Sequence, residues 1–203
     1  MMKQLALVLS ASFAAGPLFA AGPLFAAGDL ALPAPDRKGG IPLMQALEKR
    51  KTVRAYSDRE IPMQTLSNLL WAASGVNRAD GRMTAPTARN LQEISLYVLL
   101  PSGIFRYDAP ANRLVRISAE NITGQVTGKA PLTVVYVADL KKQPKRELCA
   151  VDCGYISQNI YLYCASAGLG TVVRGSFDRS FAGKLKLPAG SEVFYIQSVG
   201  YPK

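Results

Sequence analysis

The stretch from Ile94 to Ile117 constrains the fold more than any other. Three short apolar runs, Ile94–Leu100, Ile104–Tyr107 and Leu114–Ile117, are separated only by Pro101-Ser102-Gly103 and by Asp108–Asn112. Runs this short are strands rather than helices, and connections this tight join antiparallel neighbours, because parallel neighbours need a long crossover. The reading is a meander. Two further strands, Leu132–Val137 and Glu192–Val199, lie downstream, with Val172-Val173 between them in sequence. Helices are interleaved. Pro42 opens one that reaches about Arg50, with Leu43, Ala46 and Leu47 at helical spacing, and Pro62 opens a second with Leu66, Leu69, Leu70 and Ala73 on one face and Gly75 as its stop. Arg146–Ala167 is the longest helix, apolar nearly all round and therefore expected to be buried. Short helices are expected near 119–126 and over Phe181–Leu185. The fold class is α+β: a central, mainly antiparallel sheet flanked by helices.

The first 27 residues stand outside that pattern. Met1-Met2-Lys3 precedes an apolar run from Leu5 to Phe13, then small residues, with no acid before Asp29. This is the pattern of a secretory signal cleaved near Ala26 or Ala27. The block Ala14–Phe19 repeats as Ala20–Phe25, a local duplication too short to be a structural repeat. The expected division is a signal peptide over 1–27, a Pro- and Gly-rich linker over 28–40, and one domain over 41–203. The expected destination is the periplasm, with no membrane span once the signal is removed. The net charge of +10 becomes +9 without the signal, whose charged residue is Lys3. That excess suits an anionic ligand, and export argues against nucleic acid.

The chain has no histidine, which removes Ser-His-Asp and Cys-His machinery and the usual zinc sites. Chemistry must come from an acquired cofactor or from Lys, Tyr and carboxylates. Cys149, Cys153 and Cys164 share one helical face, which burial explains as well as reactivity does.

Four segments stand apart from the scaffold. Arg50-Lys51-Thr52-Val53-Arg54 gathers three cations and a hydroxyl at a helix exit. That set suits a phosphate, and equally a solvated basic turn. Pro86-Thr87-Ala88-Arg89-Asn90-Leu91-Gln92 carries two amides that, in extended chain, project to one side and suit a heterocycle edge. Gly168-Leu169-Gly170-Thr171 leads through Arg174-Gly175-Ser176 to Asp178, with glycines that admit close backbone approach. The last segment, Val199–Lys203, places a cation just after the final strand.

In this order the four segments resemble the nitroreductase family of FMN-dependent oxidoreductases, from about Ile41 to Lys203. The family pattern Arg-Arg/His-Ser-x-Arg/Lys followed by an aromatic stands here as Arg50-Lys51-Thr52-Val53-Arg54-Ala55-Tyr56. Its Pro-Ser-x-x-Asn-x-Gln stands as Pro86–Gln92, and its Gly-Leu-Gly-Ser/Thr followed by a Gly-Gly-Phe-Asp-like turn stands as Gly168–Asp178. The preceding helix, with Gln158-Asn159, is also similar.

The resemblance implies a homodimer with FMN at the interface. Arg50 and Thr52, with Lys51 beside them and Lys203 adding a cation, would hold the phosphate and ribityl end. Arg54 would lie near the ribityl chain and the N1/O2 edge, where a cation raises the flavin potential. Asn90 and Gln92 would meet the pyrimidine edge, and the Gly175 N–H would face N5. Ser176 departs from the family's second glycine, and Arg174 stands where an apolar residue is common. The implied activity is ping-pong electron transfer from NAD(P)H, or from another donor outside the cytoplasm, to a nitroaromatic, quinone or similar acceptor. No protein residue is required as a catalytic acid. The alternative is a non-catalytic exported flavin-binding protein.

Overall fold

A computed structural model describes residues 28–128 and 130–203, so the expected signal segment lies outside the described residues. The strands are β1 (Leu30–Ala31), β2 (Ile94–Leu100), β3 (Gly103–Asp108), β4 (Arg113–Ser118), β5 (Leu132–Asp139), β6 (Gly170–Arg174) and β7 (Ser191–Gly200). They form one sheet in the order β1-β4-β3-β2-β5-β7-β6. Every neighbouring pair is antiparallel. The expected meander is β2-β3-β4. The helices are α1 (Leu43–Lys49), α2 (Met63–Ser74), α3 (Thr123–Thr127) and α4 (Arg146–Ser166). The expected α+β class follows: a mainly antiparallel sheet flanked by helices.

The central strands are apolar on both faces because both faces are covered. Leu96 and Val98 of β2, with Val134 and Tyr136 of β5, pack against Leu66, Leu69 and Leu70 of α2 and Cys153, Ile156 and Ile160 of α4. The alternate residues Tyr97, Leu99, Val135 and Val137 pack on the other side against Ile122, Phe181 and Leu185. Each such fully buried aliphatic side chain contributes about 1.5–3 kcal/mol relative to exposure. That makes the sheet and α4 a rigid platform.

Three local expectations differ from the structure. The 28–40 segment packs along the domain. Leu30 and Ala31 pair with Leu114 and Arg113 of β4, and Leu32 is buried. Pro33 O accepts from the Ser67 hydroxyl at 2.6 Å and from the Asn112 amide at 2.9 Å. Its prolines remove donors, but its carbonyls remain usable, and α2 uses them. The expected helix over 119–126 begins later, at Thr123, where the Asn121 carboxamide oxygen accepts the Thr123 N–H at 3.1 Å. Finally, α4 is not buried all round: Val151 and Tyr155 are exposed.

Candidate functional site

The basic segment crosses the outer edge of β6. Thr52 bridges Thr171 in parallel, and the Val53 N–H donates to Thr171 O at 3.0 Å. Gly170 makes this close approach possible, since a Cβ there would lie 2.7 Å from Val53 Cβ and Cγ1. Downstream, the buried Tyr56 fastens the segment. Its hydroxyl donates to Val53 O at 2.6 Å, within 3.4 Å of Ser198 O. Burial pushes the Tyr56 phenol far above its ordinary range, while nearby Arg174 and Arg54 pull it the other way.

Tyr161 of α4 closes the cluster. Its ring lies under the Arg50 guanidinium at 5.5 Å, its hydroxyl is 3.4 Å from Thr52 Oγ1, and it accepts the Val173 N–H at 3.2 Å. The C-terminal segment runs alongside, with the Ser57 N–H donating to Tyr201 O at 2.9 Å and the Lys203 N–H to Ala55 O at 3.3 Å. Beside these residues lies an open cavity of about 480 Å³, lined by Glu48, Lys49, Lys51, Val53, Tyr161 and Pro202 among others. The structure thus assembles Arg50, Lys51, Thr52, Arg54 and Lys203 in one neighbourhood, and adds Arg174. Several cations, a hydroxyl and a cavity open to solvent are the donor set that a phosphate ester requires.

Gly175 stands at the other end of β6, four residues past Thr171 and about 13 Å along the strand at about 3.3 Å per residue. It faces a second cavity of about 460 Å³, shared with Arg146, Arg179, Val193, Phe194 and Tyr195. A Cβ at 175 would meet the Tyr195 ring at 3.3 Å. Arg146 lies over Phe194 at 4.9 Å and pairs with Glu192 through both terminal guanidinium nitrogens.

Asn90 and Gln92 are not in that neighbourhood. They precede β2, which is separated from β6 by β5 and β7, about 14 Å at about 4.8 Å per strand. Nor is their segment extended. Arg89, Asn90 and Gln92 have φ of 57°, 56° and 49°, so the loop is a tight left-handed turn. The amides still meet, Gln92 Nε2 donating to Asn90 Oδ1 at 3.3 Å, because the turn folds one side chain toward the other.

Sequence reasoning missed Tyr161, whose signal was a polar-tipped aromatic on an apolar helix just before a glycine turn. It also missed the buried carboxyls of Glu93 and Asp152, which carry no local signal because they belong to different elements. The three cysteines are buried and unpaired. Burial, with Glu93 and Asp152 nearby, pushes the Cys149 thiol up to about 11, and burial drives Cys153 and Cys164 higher. They are structural.

Comparison with known proteins identifies the family and the fold. Residues 47–201 match the sequence profile of the nitroreductase family. A solved structure from Ralstonia eutropha, named as a nitroreductase, is 38% identical with a TM-score of 0.81, covering 86% of this chain and 90% of that one. A protein of Archaeoglobus fulgidus, named as an NADH dehydrogenase/NAD(P)H nitroreductase, is 29% identical over 79% of this chain and 85% of its own. An FMN-dependent nitroreductase of Clostridium difficile shares the fold, with a TM-score of 0.54 over 79% of this chain and 87% of that one, at 20% identity. With the family's segments in register on the family's fold, the chain belongs to the nitroreductase family and is a flavin-dependent oxidoreductase.

Proposed function

We propose that the protein is an FMN-dependent oxidoreductase that works as a homodimer, taking electrons from NAD(P)H and passing them to a nitroaromatic, quinone or similar acceptor in alternating half-reactions. The observation that carries this is the Arg50–Tyr161–Thr52 cluster on the edge of β6. Arg50, Lys51, Thr52 and Lys203 would hold the phosphate and ribityl end. Arg54 and Arg174 add positive field further along. Gly175 follows Val173 by two residues, which continues the alternation of that edge and would bring its N–H toward the ring. Bound flavin would supply the two-electron chemistry, so the residues here need only bind, orient and set the local field.

Dimerisation supplies what one chain separates. Asn90 and Gln92 lie three strand steps across the sheet from the residues on the β6 edge, and a second copy would bring its own amides to that edge. Leu43, Met44 and Leu47 of α1, with Val151 and Tyr155 of α4, are exposed apolar residues of the kind an interface covers.

NAD(P)H is the donor named for the Archaeoglobus relative. A chain exported by the segment over 1–27, as its sequence implies, would instead draw on a protein or quinol donor. Among the described residues no helix is long and apolar enough to cross a membrane.

The test is spectroscopic. Purified protein should show the flavin absorption bands, bleach anaerobically with NADPH or a quinol, and recover with a nitroaromatic or quinone. A colourless protein that does not take up FMN would sink the proposal. Cell fractionation of the full chain checks the location.

A further inference from the structure

Beneath the loop that carries Asn90 and Gln92 lie two carboxyl groups side by side. Glu93, ahead of β2, and Asp152, on α4, are each 1% exposed. Asp152 Oδ2 accepts the Ala88 N–H at 2.8 Å. Neither oxygen of Glu93 has a hydrogen-bond partner if the group is ionised. Two adjacent carboxylates this deeply buried cannot both hold their charge. A single proton resolves the conflict, turning Glu93 from an orphan acceptor into a donor to Asp152.

The surroundings favour that state. From α4, Glu93 faces Asp152, Cys149 and Cys153, two acids and a carboxylate with no cation among them. From the loop after β5 it faces Lys142, which offsets burial only in part. On its other side Glu93 lines a cavity of about 330 Å³ with Tyr97, Arg106, Asp139 and Lys186. Burial first, and Asp152 second among the raising influences, push the Glu93 carboxyl up to about 7.

The loop above needs holding. Left-handed backbone at a non-glycine residue costs on the order of 1–3 kcal/mol, and this loop has it at Arg89, Asn90 and Gln92. Internal bonds hold it in part: the Gln92 N–H donates to Thr87 Oγ1 at 3.0 Å, the Asn90 N–H to Thr87 O at 2.9 Å, and Gln92 Nε2 to Gly81 O at 3.1 Å. Among these bonds, the one from Ala88 to Asp152 ties the loop to α4.

We infer that Glu93 and Asp152 share one proton and act as a positioning pair that locks the 87–92 loop, fixing the Asn90 and Gln92 amides. The part played by the amides rests on the flavin reading above. Loss of the proton sets two carboxylates against each other and loosens the Ala88 anchor.

The test uses the purified full chain, with Glu93→Gln and Asp152→Asn as variants that each keep a donor and an acceptor between the two positions. Infrared spectra should show a protonated-carboxyl stretch that fades as pH rises through about 7 and is missing in Glu93→Gln. Its absence from the native protein at about pH 6 would overturn the shared proton. Tryptic cleavage after the exposed Arg89 should speed up several-fold, relative to Glu93→Gln, between about pH 6 and about pH 8.5. Equal pH dependence in the two proteins would overturn the lock. The Kd for FMN should weaken several-fold over the same range in the native chain and stay flat in both variants. If the infrared and cleavage results are as expected but FMN binds at no pH, the lock is upheld and the flavin reading, with the role of the amides, is overturned.

Discussion

The Tyr161 hydroxyl accepts the backbone N–H of Val173 at 3.2 Å, tying the long helix to the outermost strand at the point where the basic segment crosses it. One hydrogen bond of this kind contributes about 0.5–1.5 kcal/mol net. Tyr161→Phe is therefore expected to lower Tm by a few degrees, at about 2–4 °C per kcal/mol for a domain of this size, and to weaken FMN binding a few-fold. Tyr161→Ala also removes the ring beneath Arg50 and should weaken binding further. Thermal melts and flavin fluorescence titrations measure both effects, and equal affinities in the two variants would show that the ring is not used.

Arg50 is expected to dominate retention of the cofactor. A charge-assisted hydrogen bond contributes about 1.5–3 kcal/mol, so Arg50→Ala should raise the FMN Kd by about ten- to a hundredfold. Lys at that position keeps charge but loses the planar group that stacks on Tyr161, and should fall between. Undiminished flavin content in Arg50→Ala would mean the segment is an ordinary basic turn.

Gly170→Ala should act on the same segment from below. Its new methyl would stand 2.7 Å from Val53 Cβ, and overpacking of this sort costs about 1–3 kcal/mol. The expected result is a less stable protein with weaker FMN binding. Val53→Gly in the Gly170→Ala background, which removes the Cβ and both methyls from the contact, should recover part of the stability. Non-recovery would locate the strain in the backbone rather than in the contact.

Stability should also depend on pH through Glu93. Its carboxyl is raised from 4.5 to about 7, so the folded chain binds this proton more tightly than the unfolded chain does. The contribution is fully present below about pH 4.5, declines above it, and is gone once the pH passes about 7. At about 1.4 kcal/mol per tenfold change, it amounts to on the order of 3 kcal/mol. Glu192, held below its ordinary range by Arg146, acts with the opposite sign at lower pH, so the decline should be sought between about pH 5 and about pH 7. Denaturant melts of native protein and Glu93→Gln, whose amide keeps the donor at every pH, should diverge across that window as the native chain loses stability with rising pH; parallel curves would refute the assignment.

The scaffold was legible because its signals are local. Pro42 and Pro62 lie immediately before α1 and α2, Gly75 ends α2, and the turns at 101–103 and 108–112 set the meander. The motifs marking the basic segment, Gly170 and Gly175 were legible for the same reason. What escaped notice depends on contacts distant in sequence. The 28–40 segment reads as a linker because its composition says so, yet Leu32 finds a place in the core. The Asn90 turn reads as extended because nothing local betrays φ > 0 at Arg89. The pairing of Glu93 with Asp152 requires the fold to bring two elements together.

The outer strand has a further consequence. An edge strand presents unpaired backbone groups on which another chain can pair and aggregate. In β6 that role is blocked at Thr171 by the Val53 N–H and at Val173 by Tyr161. The stretch proposed to grip the ligand therefore also shields a self-association template. Variants that release it should tend to precipitate as well as to lose colour, and the cofactor would act as a solubility factor for the chain that binds it.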